Sequence, residues 1–324
     1  EVVNKSGTPQ LTLETGDTDA VVDYASGTGS DTYTFTYTVD SPHESADLDY
    51  KATNSLSAGT YIRDAAGNDA TLTLPNTGAS GSLGANKDLV IDGKSPSVTG
   101  VSCTSSAAKD RDGTSITDCS NGSYNDTHAS AGGTNIFYIR VTFDEAVVVS
   151  GTPQLTLDFA NDVACNYNSG ESTSTTLAFT YTVADGQSSD DLDYAATTSL
   201  SAGTSIKDAA GNDATRTLAA PGASGSLGAN KALVIDTTHP TVHGSAGSKV
   251  YSAKAEGSYK VGEVIDVVVG FTETIYTSGT PTLTLDLETD KALDLYSGGG
   301  AGGSTALTFR YTVEAGQNST DLDY

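Results

Sequence analysis

The sequence predicts an all-β chain built as tandem sandwich domains, on three grounds. Apolar and polar residues alternate in short runs, the same runs return at a long period, and no stretch carries a sustained 3.6-residue pattern with helix caps. The repeat comes first because it fixes the frame. Ser6-Gly7-Thr8-Pro9-Gln10-Leu11-Thr12-Leu13 returns at 150–157 and, with one change, at 278–285. Gly7 and Gly151 are 144 residues apart and Gly151 and Gly279 are 128 apart, while Asp-Leu-Asp-Tyr follows at 47, 191 and 321. The stretches Asp64 to Asp69 and Leu89 to Asp92 recur at 208–213 and 233–236. Residues 1–92 then read as an incomplete repeat lacking its first strands, 93–236 as a complete one, and 237–324 as one lacking its last strands. The 16-residue difference between the two periods falls near 105–133, a polar segment expected to be a surface-loop insertion.

The strands follow from alternation. Leu177, Phe179, Tyr181 and Val183 point one way, with Ala178, Thr180 and Thr182 opposite; Tyr33, Phe35, Tyr37 and Val39, and Leu307, Phe309, Tyr311 and Val313, keep the same phase. Upstream, Phe137, Ile139, Val141 and Phe143 match Ile265, Val267, Val269 and Phe271. A period of two buries one face of a strand and wets the other. Turn clusters such as Ser-Gly-Thr-Pro and Gly-Asn-Asp separate these runs. About seven strand-like runs per complete repeat is the number expected of an Ig-like β-sandwich. Each repeat is long enough to bury its own core, and such domains joined by short linkers make a rod or fibre.

Composition narrows the function. The net charge of −25 argues against nucleic acid, whose phosphates need a basic face. No run approaches the roughly 18 apolar residues of a membrane helix. The absence of Met is read as a processed product or a window of a longer chain. Nothing points to catalysis, and the chain is read as a non-enzyme. His43, His128, His239 and His243 fall in loop or linker contexts without a nucleophilic pattern, and Gly298 to Gly303 precedes a strand rather than opening a helix.

The motifs SGTPQLTL, FTYTV, DLDY, DAAGNDATLTL and SLGANKALVID together resemble the tandem Ig-like repeats of giant extracellular adhesins and fibrous cell-surface proteins of bacteria and marine microbes, including algae. The resemblance implies an extracellular stalk, filament or adhesive module. Its partners would be copies of itself or neighbouring repeats of a longer chain, and surface glycans. In related domains the first Asp of such a turn, and the Asp before the linker, lie near calcium at the junction. That nominates Asp64, Asp69, Asp92, Asp208, Asp213 and Asp236. The chain departs from the usual repeat in its insertion, its cysteines, and Ser95-Pro96 in place of a linker such as Thr237-Thr238-His239-Pro240.

A second set of acids comes from spacing alone. In Asp47-x-Asp49 and Asp191-x-Asp193, residues two apart on an extended chain face the same side and allow two carboxylates to approach one hard cation. The alternative reading of both sets is structural, with Asp capping backbone N–H groups in turns. Asp110 to Gly113 holds only a fragment of an EF-hand loop.

Cys103 and Cys119, 16 residues apart, are expected to form a disulfide pinning the insertion, with Cys165 as an alternative partner for either or as an interchain link. The polar neighbours Asn166-Tyr167-Asn168 argue against a buried free thiol at Cys165. Asn4, Asn121, Asn125 and Asn318 fit the glycosylation acceptor pattern. A lectin-like, carbohydrate-binding adhesion module is the alternative function; sugars stack on aromatic rings, and the chain has 16 Tyr but no Trp.

Overall fold

The computed structural model describes residues 1–105, 108–109, 115–116, 119, 121–125, 135–242 and 250–324. Asp110 to Gly113, His128, His243 and much of the insertion lie outside these. The described residues form strands joined by turns and irregular segments, with two four-residue α-helices, Leu83–Asn86 and Leu227–Asn230, and a short 3-10 helix, Ser169–Glu171. Among the described residues no helix is long and apolar enough to cross a membrane. The chain divides into two compact units, Glu1–Thr237 and Thr238–Tyr324. The expected boundary at 92/93 therefore falls inside the first unit, and the one at 236/237 lies a residue from the division.

In the first unit the central element is a five-stranded antiparallel sheet in the order Gln154–Leu157, Val163–Asn168, Thr176–Thr182, Ile136–Phe143, Val98–Ser105. Its inward residues are those the alternation named. Phe137, Ile139, Val141, Leu177, Phe179 and Tyr181 are all buried, with Ile139 opposite Phe179 in register. Against them pack Leu192, Tyr194, Leu200, Ile206, Leu227, Leu233 and Ile235, from the short strands and turns that follow. A second sheet, ordered Thr34–Phe35, Ala20–Ser26, Gln10–Leu13, Leu56–Ser57, carries a smaller core around Leu13, Ala20, Val22 and Leu48. The second unit is built on one sheet ordered Val250–Tyr251, Val264–Ile275, Ser304–Thr312, Lys291–Ser297, Thr282–Leu285, with Phe309 and Tyr311 inward.

Two expectations are corrected here. Part of the insertion is not a surface loop. Gly122–Tyr124 forms a strand pairing in parallel with Leu233–Asp236, and Tyr124 is 2% exposed with its ring edge-on to Phe137 at 4.9 Å between centroids. Cys119, 0% exposed and bonded to Cys103, enters the core with Tyr124, so the ring, the disulfide and the backbone pairing together hold this polar segment inward. Cys165, expected as an interchain link or an alternative disulfide partner, is a free thiol 2% exposed in the core. Period two explains this: Ala164 and Asn166 are exposed while Cys165 faces inward, so the polarity of the next residue says nothing about the thiol. Burial pushes its pKa up to about 12, which leaves it an inert thiol at neutral pH. Cys103 and Cys119 form the expected disulfide.

Tyr124→Ala tests whether this segment belongs to the core. We expect a loss of about 3 kcal/mol in equilibrium urea unfolding of the full chain, the scale of a buried aromatic deletion. A loss below about 0.5 kcal/mol, as for a surface residue, would return the segment to the surface.

Candidate metal centre

The acidic motifs separate into two kinds of place. In the first, Asp49 is a latch. Its Oδ1 accepts from the N–H groups of Tyr50 at 2.8 Å and Leu83 at 3.2 Å, and its Oδ2 from Gly78 N–H at 3.0 Å. Tyr50 Oη donates to the Pro75 carbonyl at 2.7 Å, and Ser82 caps the short helix through Ala85 N–H. The complete repeat copies this: Asp193 accepts from Tyr194 N–H and Gly222 N–H, both at 2.9 Å, and Tyr194 Oη reaches the Ala219 carbonyl. The glycine of Ser-Leu-Gly-Ala-Asn follows from it, because a Cβ on Gly228 would lie 2.9 Å from Asp193 Oδ2. Burial, the largest single influence on Asp49, raises its pKa. The N–H groups of Gly78 and Tyr50, with Ser82 and Gly84, outweigh it and hold the carboxyl below its ordinary value. Asp47 and Asp191 are exposed beside these latches. Glu14, Asp47 and Asp49 line an open depression of about 430 Å³, but Lys51 stands with them and pairs with Asp19.

The second place is where the first repeat's linker crosses the turn 208–213. Asp208 organises its own turn: Oδ1 accepts from the N–H groups of Gly211 at 2.7 Å and Asn212 at 2.8 Å, and Oδ2 from Asn212 Nδ2 at 2.7 Å. Gly211, at φ +102°, supplies the backbone that this needs. Asn212 Nδ2 also donates to the carbonyls of Asp92 at 2.9 Å and Lys94 at 3.2 Å, so one side-chain amide ties the turn to the linker. Thr215 N–H to the Pro96 carbonyl at 2.7 Å extends the contact.

This clasp brings Asp92 and Asp208 together with Glu145, one carboxylate oxygen of each lying within 4.8 Å of the others. Asp92 Oδ1 and Glu145 Oε1 are buried and have no hydrogen-bond partner. Ligands on opposite sides of one calcium ion stand at most about 5 Å apart, at metal–oxygen distances of about 2.4 Å, so the three residues fit a hard divalent cation. The electrostatics agree. Burial first, then the charges of Asp92 and Asp144, raise the pKa of Glu145; Lys94 opposes them, and Asp208 adds the smallest upward effect. For Asp208 burial also raises, but Asn212 and the turn N–H groups prevail and lower it.

The remaining nominated acids stand apart from this cluster. Asp69 pairs with Arg63 at 2.5 Å and Asp213 with Lys207 at 3.0 Å, both carboxylates well exposed. Asp64 forms the same turn as Asp208, with Asn68 on both its oxygens, but is only half-buried where Asp208 is buried. Asp236 is exposed at the end of its strand. Glu145 was not among the nominated residues, although Glu1, Glu145 and Glu273 each precede the repeat's glycine by six residues. Glu273 Oε1 in the second unit is also buried without a partner. Asn4, Asn121, Asn125 and Asn318 are all exposed, and Asn121 Oδ1 accepts from Ala232 N–H. Compared with known proteins, the chain matches no family model, no curated protein and no solved structure.

The pKa directions give opposite pH signs. Asp49 and Asp208, lowered on folding, contribute stability above the unfolded carboxyl value of about 4 that is lost as pH falls through their folded values. Glu145, raised, contributes stability below its unfolded value that is lost as pH rises through its folded one. Glu145→Gln is therefore expected to raise the melting temperature of the chelator-treated chain near about pH 7 and to change little near about pH 4. Equal shifts at both pH values would show that Glu145 acts through packing instead.

Proposed function

We propose that the chain is an extracellular structural repeat protein, forming the stalk or filament of a cell-surface fibre with an adhesive role, and that calcium stiffens the joint between repeats. The observation that carries the reading is the clasp, in which the end of one repeat meets two acids of the next and Asn212 holds the linker in place. Ig-like sandwich repeats set end to end supply length. A cation bound by residues of both repeats supplies tensile stiffness, because pulling the repeats apart would separate its ligands. Asp92, Glu145 and Asp208 are the calcium ligands in this reading, and Asp49 and Asp193 are latches. Copies of the chain or neighbouring repeats are its partners. The second linker repeats the chemistry in sequence, with Asp236 at the position of Asp92 and Glu273 at that of Glu145.

The reading is tested by thermal melts of the full chain with calcium and with chelator. Calcium at about a hundred times its dissociation constant is expected to stabilise by about 2.7 kcal/mol, and the gain should disappear in Asp92→Asn and in Glu145→Gln. An identical melting temperature with and without the ion removes calcium from the joint. Electron microscopy of native material tests the architecture: beaded threads or a helical lattice are expected, and compact separate particles would end the fibre reading.

A further inference from the structure

We infer that Lys94 is the built-in counter-charge of the junction acids and sets how tightly a divalent cation is held there; this rests on the junction reading above. The placement is specific. Asn212 Nδ2 bonds the Lys94 carbonyl and Asp208 Oδ2 together, so the backbone of Lys94 lies one amide group away from a carboxylate of the cluster. The Lys94 ammonium lies 3.7 Å from Asp144 Oδ2, and Asp144 is the neighbour of Glu145 in the chain. Asp144 is fixed in turn, accepting from Ser97 N–H at 2.7 Å and Ser97 Oγ at 2.9 Å. The Lys94 ammonium, its side chain 44% exposed, is therefore held by an ion pair to the chain neighbour of Glu145.

The repeat supplies the contrast. Aligned on Asp92 and Asp236, Lys94 falls on Thr238; aligned on Glu145 and Glu273, Asp144 falls on Thr272. Both members of the ion pair are exchanged for threonine in the next copy, while the flanking acids are kept. Ser97, which holds Asp144, is matched by Thr241, whose N–H donates to Thr272 Oγ1 at 3.0 Å, so the backbone contact survives the loss of charge. The ion pair is thus dispensable to the local fold and retains one distinctive consequence, a positive charge beside the acids. A resident ammonium neutralises part of the cluster when no metal is bound and repels an arriving divalent ion. The affinity of this joint is then lower, and more dependent on ionic strength, than the acids alone would give.

Titration calorimetry of the full chain with calcium chloride tests this, at low and at high sodium chloride, on wild type, Lys94→Thr, Lys94→Arg and Glu145→Gln, and on Lys94→Thr combined with Glu145→Gln. Circular dichroism confirms that each variant is folded; the threonine is the residue the next copy already carries. Lys94→Thr is expected to bind calcium about fivefold more tightly at low salt, with the gain shrinking at high salt. Lys94→Arg, which keeps the charge, should bind as wild type, and Glu145→Gln should remove the tighter binding. If Lys94→Thr binds as wild type at low salt while Glu145→Gln still abolishes binding, the role of Lys94 is overturned and the junction site stands. If Glu145→Gln leaves binding unchanged, or neither wild type nor Lys94→Thr takes up calcium, both fall.

Discussion

Like charges held together where two chain segments cross are the constraint around which the first unit's linker is arranged. Asp92 arrives from one repeat, Asp208 and Glu145 belong to the next, and one carboxylate oxygen of each lies within 4.8 Å of the others. At an effective dielectric of 20 such a separation costs about 3.5 kcal/mol or more per charged pair before screening by solvent. What opposes the repulsion is a set of N–H donors: Gly211 and Asn212 on Asp208, and the Asn212 amide on the linker carbonyls. The donors are unevenly shared. Asp208 has them and keeps its charge, whereas Glu145 has none at Oε1 and takes the strain as a raised pKa. A proton relieves this group, and the proposed cation would compete with it.

The same residue type does different work according to the donors around it. Asp193 and Asp49 are surrounded by backbone N–H groups of a loop and a helix start, so their lone pairs are largely spent and their role is to fasten that loop. Asp69 and Asp213 face cations across a hairpin, where exposed pairs contribute little. Asp92 keeps one buried oxygen without a donor. An acidic chain with net charge −25 therefore does not carry its acids uniformly. Among the described residues of this unit, Asp92, Glu145 and Asp19 each keep a buried carboxylate oxygen without a hydrogen-bond partner; Asp19 pairs with Lys51, and the other two meet at the linker.

Much of the fold was legible because alternation reports burial directly: Phe137, Ile139, Leu177, Phe179 and Tyr181 are inward as their spacing required. Legibility failed where one residue overrode its neighbourhood. Tyr124 sits in a polar stretch, but Gly122-Ser123-Tyr124 returns as Gly257-Ser258-Tyr259, a repeat too short to stand out against a variable insertion. Cys165 was judged by Asn166, which lies on the other face of the strand. Of the nominated acids, the structure brings Asp92 and Asp208 together, 116 residues apart in the chain. Glu145 was hidden because a lone Glu after a strand carries no motif. Its signal was the six-residue offset shared with Glu1 and Glu273, visible only once the repeat is used as a ruler.

That ruler also separates what the junction needs from what it can vary. The acid before the linker and the acid before the repeat's glycine are kept from copy to copy, while the residues between and beside them change: Gly93 for Thr237, Lys94 for Thr238, Asp144 for Thr272. Gly93 is confined, since a Cβ there would lie 2.6 Å from the Asp40 carbonyl, yet Thr237 occupies its counterpart buried at 3% and donates to the Gln187 carbonyl. The linker thus adapts its backbone packing locally. Carboxylates that were to converge on the proposed cation would have no such freedom, because a ligand displaced by an ångström would no longer reach it. In a proposed fibre whose joints are meant to differ in strength, variation would be expected around the ligands and not in them; in the sequence Asp92 and Glu145 return as Asp236 and Glu273 while their neighbours change.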